Sequence, residues 1–142
     1  MIRGICRYLS ALFLLPAALA AQQPVTLRFC NLQKAQGSLF VAVYNRSEGF
    51  LDEKKAFYAE IIPVKQAGCL EKQVSLPEGA YAVSCFHDAN ANGQMDKSWT
   101  GIPKEPYGFS GNYTAKMRPP NWEETQVRLK PGQSLTVQLK NW

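Results

Sequence analysis

The chain predicts an all-β fold, an antiparallel β-sandwich of about seven strands. Three observations carry that expectation. Apolar and polar residues alternate over short stretches, turn residues separate those stretches, and no long helical periodicity runs through them.

The first element is of another kind. Arg3 and Arg7 precede an apolar run over residues 9–19, broken only by Ser10 and Pro16, and Ala18 and Ala20 supply a small-x-small cleavage pattern. That order predicts a signal peptide over residues 1–20 with cleavage before Ala21. An uncleaved anchor would need roughly 20 apolar residues, more than this run offers. Cys6 lies too early to carry a lipid after cleavage. The remaining residues, 21–142, have the length of one domain and, on this reading, reach the periplasm or the outside of the cell. Without Arg3 and Arg7 the formal charge falls from +5 to +3. The basic residues are scattered, so no nucleic-acid partner is expected, and the exported chain would not span a membrane.

The strands follow in order. Val25, Leu27 and Phe29 alternate with Thr26, Arg28 and Cys30; Leu39, Val41 and Val43 alternate with Phe40, Ala42 and Tyr44. This period of two suits strands with one face on a core. Residues 52–57 could hold a helical turn, and 59–64 a third strand whose Pro63 belongs at an edge or a bulge. Residues 69–76 and 80–87 flank Pro77-Glu78-Gly79, where proline presets one turn position and glycine accepts a positive φ. Residues 126–129 and 135–139 flank a second turn at Pro131-Gly132.

Cys30, Cys69 and Cys85 remain after cleavage, and three pairings are open. If each strand reverses the last, all three fall near one end of the sandwich. Cys85 shares the inward face with Tyr81 and Val83 and suits a buried thiol, which favours a Cys30–Cys69 disulfide.

The loop after residue 87 carries the most chemistry. Asp88, Asn90, Asn92 and Asp96 place oxygen donors at alternate positions, Gln94 adds a backbone carbonyl, and Gly93 permits a sharp bend. A hard cation such as Ca²⁺ takes six to eight oxygens, and this spacing matches the first nine positions of a helix-flanked calcium loop. Its usual closing Glu is replaced by Trp99, with Glu105 as a carboxylate that could fold back. The alternative is a metal-free turn stiffened by Asx hydrogen bonds.

Residues 86–96, Phe-His-Asp-Ala-Asn-Ala-Asn-Gly-Gln-Met-Asp, and residues 101–110, Gly-Ile-Pro-Lys-Glu-Pro-Tyr-Gly-Phe-Ser, resemble the hallmark block of an exported bacterial family, domain of unknown function 2141. Gly37 with residues 41–45 and residues 76–83 match it as well, so the resemblance spans roughly residues 25–140. It implies a periplasmic or secreted β-sandwich of the prealbumin-like or immunoglobulin-like kind, and no established activity. The cysteines stand outside the family pattern.

Two further groups invite a function. His87 lies two residues from Cys85 on one strand face, the minimum for a thiol enzyme, but no orienting group or oxyanion hole accompanies them. A Cys69/Cys85/His87 metal site lacks dedicated spacing. Trp99, Tyr107, Phe109 and Tyr113 fall in a stretch without regular pattern, either a lid over one sheet or a platform for a glycan or peptide. Trp122 and Trp142 read as packing residues. The expected function is therefore a non-enzymatic binding module with a Ca²⁺-stabilised loop, its partner an envelope protein or glycan. The alternatives are an accessory domain of an envelope assembly with a metal-free turn, and a thiol enzyme using Cys85 and His87.

Overall fold

The computed structural model describes residues 22–114 and 118–141; the leader expected over 1–20 and Trp142 lie outside them. The described chain is all-β, with eight strands in two open sheets and almost no helix. The strands are β1 (Val25–Leu32), β2 (Ser38–Tyr44), β3 (Tyr58–Pro63), β4 (Gly68–Val74), β5 (Gly79–Asp88), β6 (Tyr107–Phe109), β7 (Val127–Leu129) and β8 (Ser134–Gln138). A 3-10 turn, Glu53–Lys55, stands where a helical turn was expected, and Asp52 caps it. One short helix, α1 (Trp122–Thr125), opens on a capping box made by Asn121 and Glu124.

One sheet has the order β4-β1-β8; the other runs β3-β2-β5-β6, with β7 pairing the first residues of β5. The expected alternation is what buries the core. Val25, Leu27 and Phe29 of β1, Leu39, Val41 and Val43 of β2, Val83 and Cys85 of β5 and Val137 of β8 join one continuous apolar cluster. Both sheets therefore feed a single core. At its open edge Lys72 of β4 reaches Glu60 of β3 at 2.8 Å, and the Tyr58 hydroxyl donates to the same carboxylate.

Two expectations need correcting. The strands are not all antiparallel: β1 and β8 run parallel, Leu27 opposite Leu135. Hairpin turns force reversal only between neighbours in sequence, and these strands stand at opposite ends of the domain, free of that constraint. The aromatic stretch is not wholly irregular either, since Tyr107–Phe109 forms β6 against Ser84, Cys85 and Phe86.

Other expectations hold. Pro63 ends β3, an edge strand. Cys30 and Cys69 form a disulfide, with Cα atoms 4.1 Å apart, and Cys85 is a free, buried thiol. The register between β1 and β4 shifts at that point, with Phe29 opposite Leu70 but Leu32 opposite Gly68. The extra residue is a bulge in which Asn31 takes φ 69° and its Nδ2 donates to the Leu139 carbonyl at 2.8 Å. Among the described residues no helix is long and apolar enough to cross a membrane.

Candidate functional site

The loop after β5 begins on a fixed point. Asp88, only 1 % exposed, ends the strand, and its backbone lies against Gly37. A Cβ at Gly37 would sit 2.0 Å from the Asp88 carbonyl oxygen, and φ there is +68°, so glycine alone fits. From this anchor the Asp88 carboxylate accepts the Asn92 N–H (3.2 Å) and the Gly93 N–H (2.7 Å). Asn90 Oδ1 accepts the Asn92 N–H and Asn92 Oδ1 the Gln94 N–H, both at 3.1 Å. These are the Asx bonds that the alternation of Asp and Asn favours.

The two carboxamides also close the loop. Asn90 Nδ2 donates to Asp96 Oδ2 at 2.6 Å, and Asn92 Nδ2 donates to Asp96 Oδ1 at 2.8 Å. Glu105 does fold back: its Oε2 accepts the Asp96 N–H at 3.1 Å. Burial pushes the Glu105 carboxyl above its ordinary range; the Asp96 N–H pulls it back, and the charges of Asp88 and Asp96 push it further up. The structure thus brings together Asp88, Asn90, Asn92, Asp96 and Glu105, while Gln94 contributes its backbone at an exposed position. Among the described residues no three His, Cys, Asp or Glu side chains stand close enough to hold a metal as they are placed.

Beside this loop, the outer face of the five-stranded sheet carries a groove of about 840 Å³. Its floor is Phe40 of β2 stacked on Phe86 of β5, ring centroids 4.6 Å apart, a cross-strand pair in register. One wall is the loop itself, through Met95, Ile102 and Pro103. The other is an edge-to-face series, Tyr107 to Phe109 at 5.8 Å and Phe109 to Tyr113 at 5.5 Å. Ser110 secures this wall: its Oγ accepts the Val83 N–H and donates to the Thr125 carbonyl, both at 2.7 Å. Three of the four aromatics expected to form a platform meet here. The fourth does not: Trp99 is 98 % exposed and is not among the residues that line the groove. Trp122 packs on Phe50, which packs on Tyr44, so the far end of the same face is covered.

Phe40 and Phe86 were not among the residues expected to bind. The signal was present: between the core positions β2 carries Phe40, Ala42 and Tyr44, and β5 carries Phe86 beside the single polar Ser84, whereas a solvated face would be mostly polar there.

Among the described residues no hydrogen bond joins Cys85 to His87. Burial pushes the Cys85 thiol far above its ordinary range, away from the thiolate a nucleophile needs. His87 is also buried, and its Nε2 donates to the Gln36 carbonyl at 2.7 Å. That bond helps hold the 36–37 turn on the strand end that launches the loop.

No curated protein and no solved structure matches this chain. Residues 27–137 match the family described as "Uncharacterized protein conserved in bacteria (DUF2141)", and the chain belongs to that family.

Proposed function

We propose that this protein is an exported, non-enzymatic binding module, a two-sheet sandwich of the prealbumin-like or immunoglobulin-like kind. Its ligand is a small, largely apolar molecule carrying a negative charge, held in the groove on the outer face of the five-stranded sheet. The observation that carries this reading is the stacked Phe40–Phe86 floor between two apolar walls, within the roughly 300–1,000 Å³ that small-molecule sites occupy. A glycan would call for many polar groups among the rings, and this lining is mainly apolar. The charge preference comes from the rim. Glu60 is bonded to Lys72 and Arg118 to Glu124, which leaves Lys54 and Lys97 on the rim against Glu53. The Cys30–Cys69 disulfide supports an oxidising compartment, hence a periplasmic or secreted protein.

Two fluorescent probes test this: anilinonaphthalene sulfonate, apolar and anionic, and its uncharged relative N-phenylnaphthylamine. The folded protein should bind both saturably and the anion more tightly. The double variant Phe40→Ala/Phe86→Ala should bind at least about tenfold more weakly, a loss of roughly 1.4 kcal/mol. Unchanged affinity in the variant, or no saturable binding to the wild type, would overturn the reading.

A further inference from the structure

Glu105 is left with an uncompensated atom. The residue is 7 % exposed; Oε2 accepts the Asp96 N–H, and Oε1 is buried without a hydrogen-bond partner, the Ala89 N–H giving the carboxylate only the weakest of its favourable interactions. A buried carboxylate oxygen without a donor is costly, and native folds leave few of them. Here the carboxylate also faces two others, Asp88 and Asp96, whose charges oppose its own. Among the described residues no lysine or arginine pairs with any of the three. The positive ends that do reach the cluster are neutral: backbone N–H groups and the Nδ2 atoms of Asn90 and Asn92. Asp88, Asp96 and Glu105 thus share one loop without a cationic partner, and a metal would have to draw their carboxylates closer than they now stand.

We propose that this metal is Ca²⁺, held by Asp88, Asp96 and Glu105 together with the side-chain oxygens of Asn90 and Asn92 and the Gln94 carbonyl. Glu105, nine residues beyond Asp96, supplies the closing acid that Trp99 cannot. The donor set is all oxygen and large enough for the six to eight ligands of calcium, and it contains no sulfur or imidazole. The existing Asx bonds do not exhaust it. Each carboxamide or carboxylate oxygen that accepts one N–H keeps a second lone pair. Cation entry displaces the two Nδ2 donors from Asp96 and takes over their role. Asp96 and Glu105 bracket the segment that contributes Lys97, Ile102 and Pro103 to the groove, so the ion would fasten both ends of that wall. This last consequence rests on the groove being a ligand site; the cation site does not.

Calorimetric titration of the purified protein with CaCl₂ should give one site per chain near about 10⁻⁴–10⁻³ M. Melting should shift upward in millimolar Ca²⁺ relative to chelator, and not in equal Mg²⁺. Glu105→Gln keeps the shape and the acceptor for Asp96 N–H but removes one buried charge. The metal-free variant should melt higher than wild type, while its calcium affinity falls at least about tenfold and its calcium-dependent shift disappears. Asp96→Asn, at a half-buried position, should lose the same response. Absence of calcium binding in the wild type, or a full calcium response in both variants, would overturn the site. Anilinonaphthalene sulfonate should bind more tightly with Ca²⁺ than with chelator. Calcium binding that leaves dye affinity unchanged would overturn the coupling alone, and failure of the dye to bind at all would overturn only the groove reading.

Discussion

The two faces of the five-stranded sheet are made by adjacent residues of the same strands and meet different fates. Leu39, Val41, Val43, Val83 and Cys85 point inward and are sealed against the three-stranded sheet. Phe40 and Phe86 point outward and are only half-buried, and Ile61 on the same side is 58 % exposed. One face accounts for folding. A sheet with a single covered face needs no apolar residues on the other, so the outer rings answer to something besides the core. One physical property thus has two uses: apolar area removed from water by the chain itself and, under the proposed function, apolar area kept for a ligand.

The comparison is broken most directly by truncating one residue on each face. Leu39→Ala should cost about 3 kcal/mol in urea denaturation, because it leaves a cavity in a fully buried site. Phe40→Ala should cost about 1 kcal/mol, the worth of a ring pair, yet weaken dye binding where Leu39→Ala does not. Equal stability costs would make the outer face a second core. Gly108 tests where the faces meet. A Cβ there would lie 2.9 Å from both the Gln138 carbonyl oxygen and Val137 Cγ1. Gly108→Ala should therefore push β6 away from β8 at a cost of roughly 2 kcal/mol, and it should disturb the dye site through Tyr107 and Phe109. Normal dye affinity in that variant would detach the wall from the core.

The smallest effect lies at the edge of the core. The Lys72 ammonium bonded to Glu60, with the Tyr58 hydroxyl beside it, holds the Glu60 carboxyl below its ordinary value of 4.5. A depressed folded value means the pair stabilises the fold above that ordinary value and loses its contribution as pH falls through the folded one. The side chain is a third exposed, so the difference between wild type and Glu60→Gln should stay under about 1 kcal/mol at neutral pH and vanish in acid. A difference that grows on acidification would reverse the assignment.

Much of this was legible before the fold was known. Alternation located β1, β2 and β5 within a few residues, and reversing strands brought Cys30 to Cys69 and left Cys85 buried. The loop spacing singled out Asp88, Asn90, Asn92 and Asp96, and Glu105 does turn back to them. Trp99 misled: aromatic identity placed it with Tyr107 and Phe109, but its side chain lies in solvent. β6 was hidden because Tyr107-Gly108-Phe109 is three residues long between Pro106 and Ser110, too short to carry a period.

The amino-acid order alone determined where strands form, which face of each is apolar and which cysteines could meet. Those properties are local, since side chains two apart share a face whatever the strand pairs with. The parallel seating of β1 on β8, the existence of β6, the groove between its walls and the arrival of Glu105 at two aspartates were decided by tertiary structure. Each depends on residues distant in the chain, whose contacts gain free energy only after the intervening segments have closed.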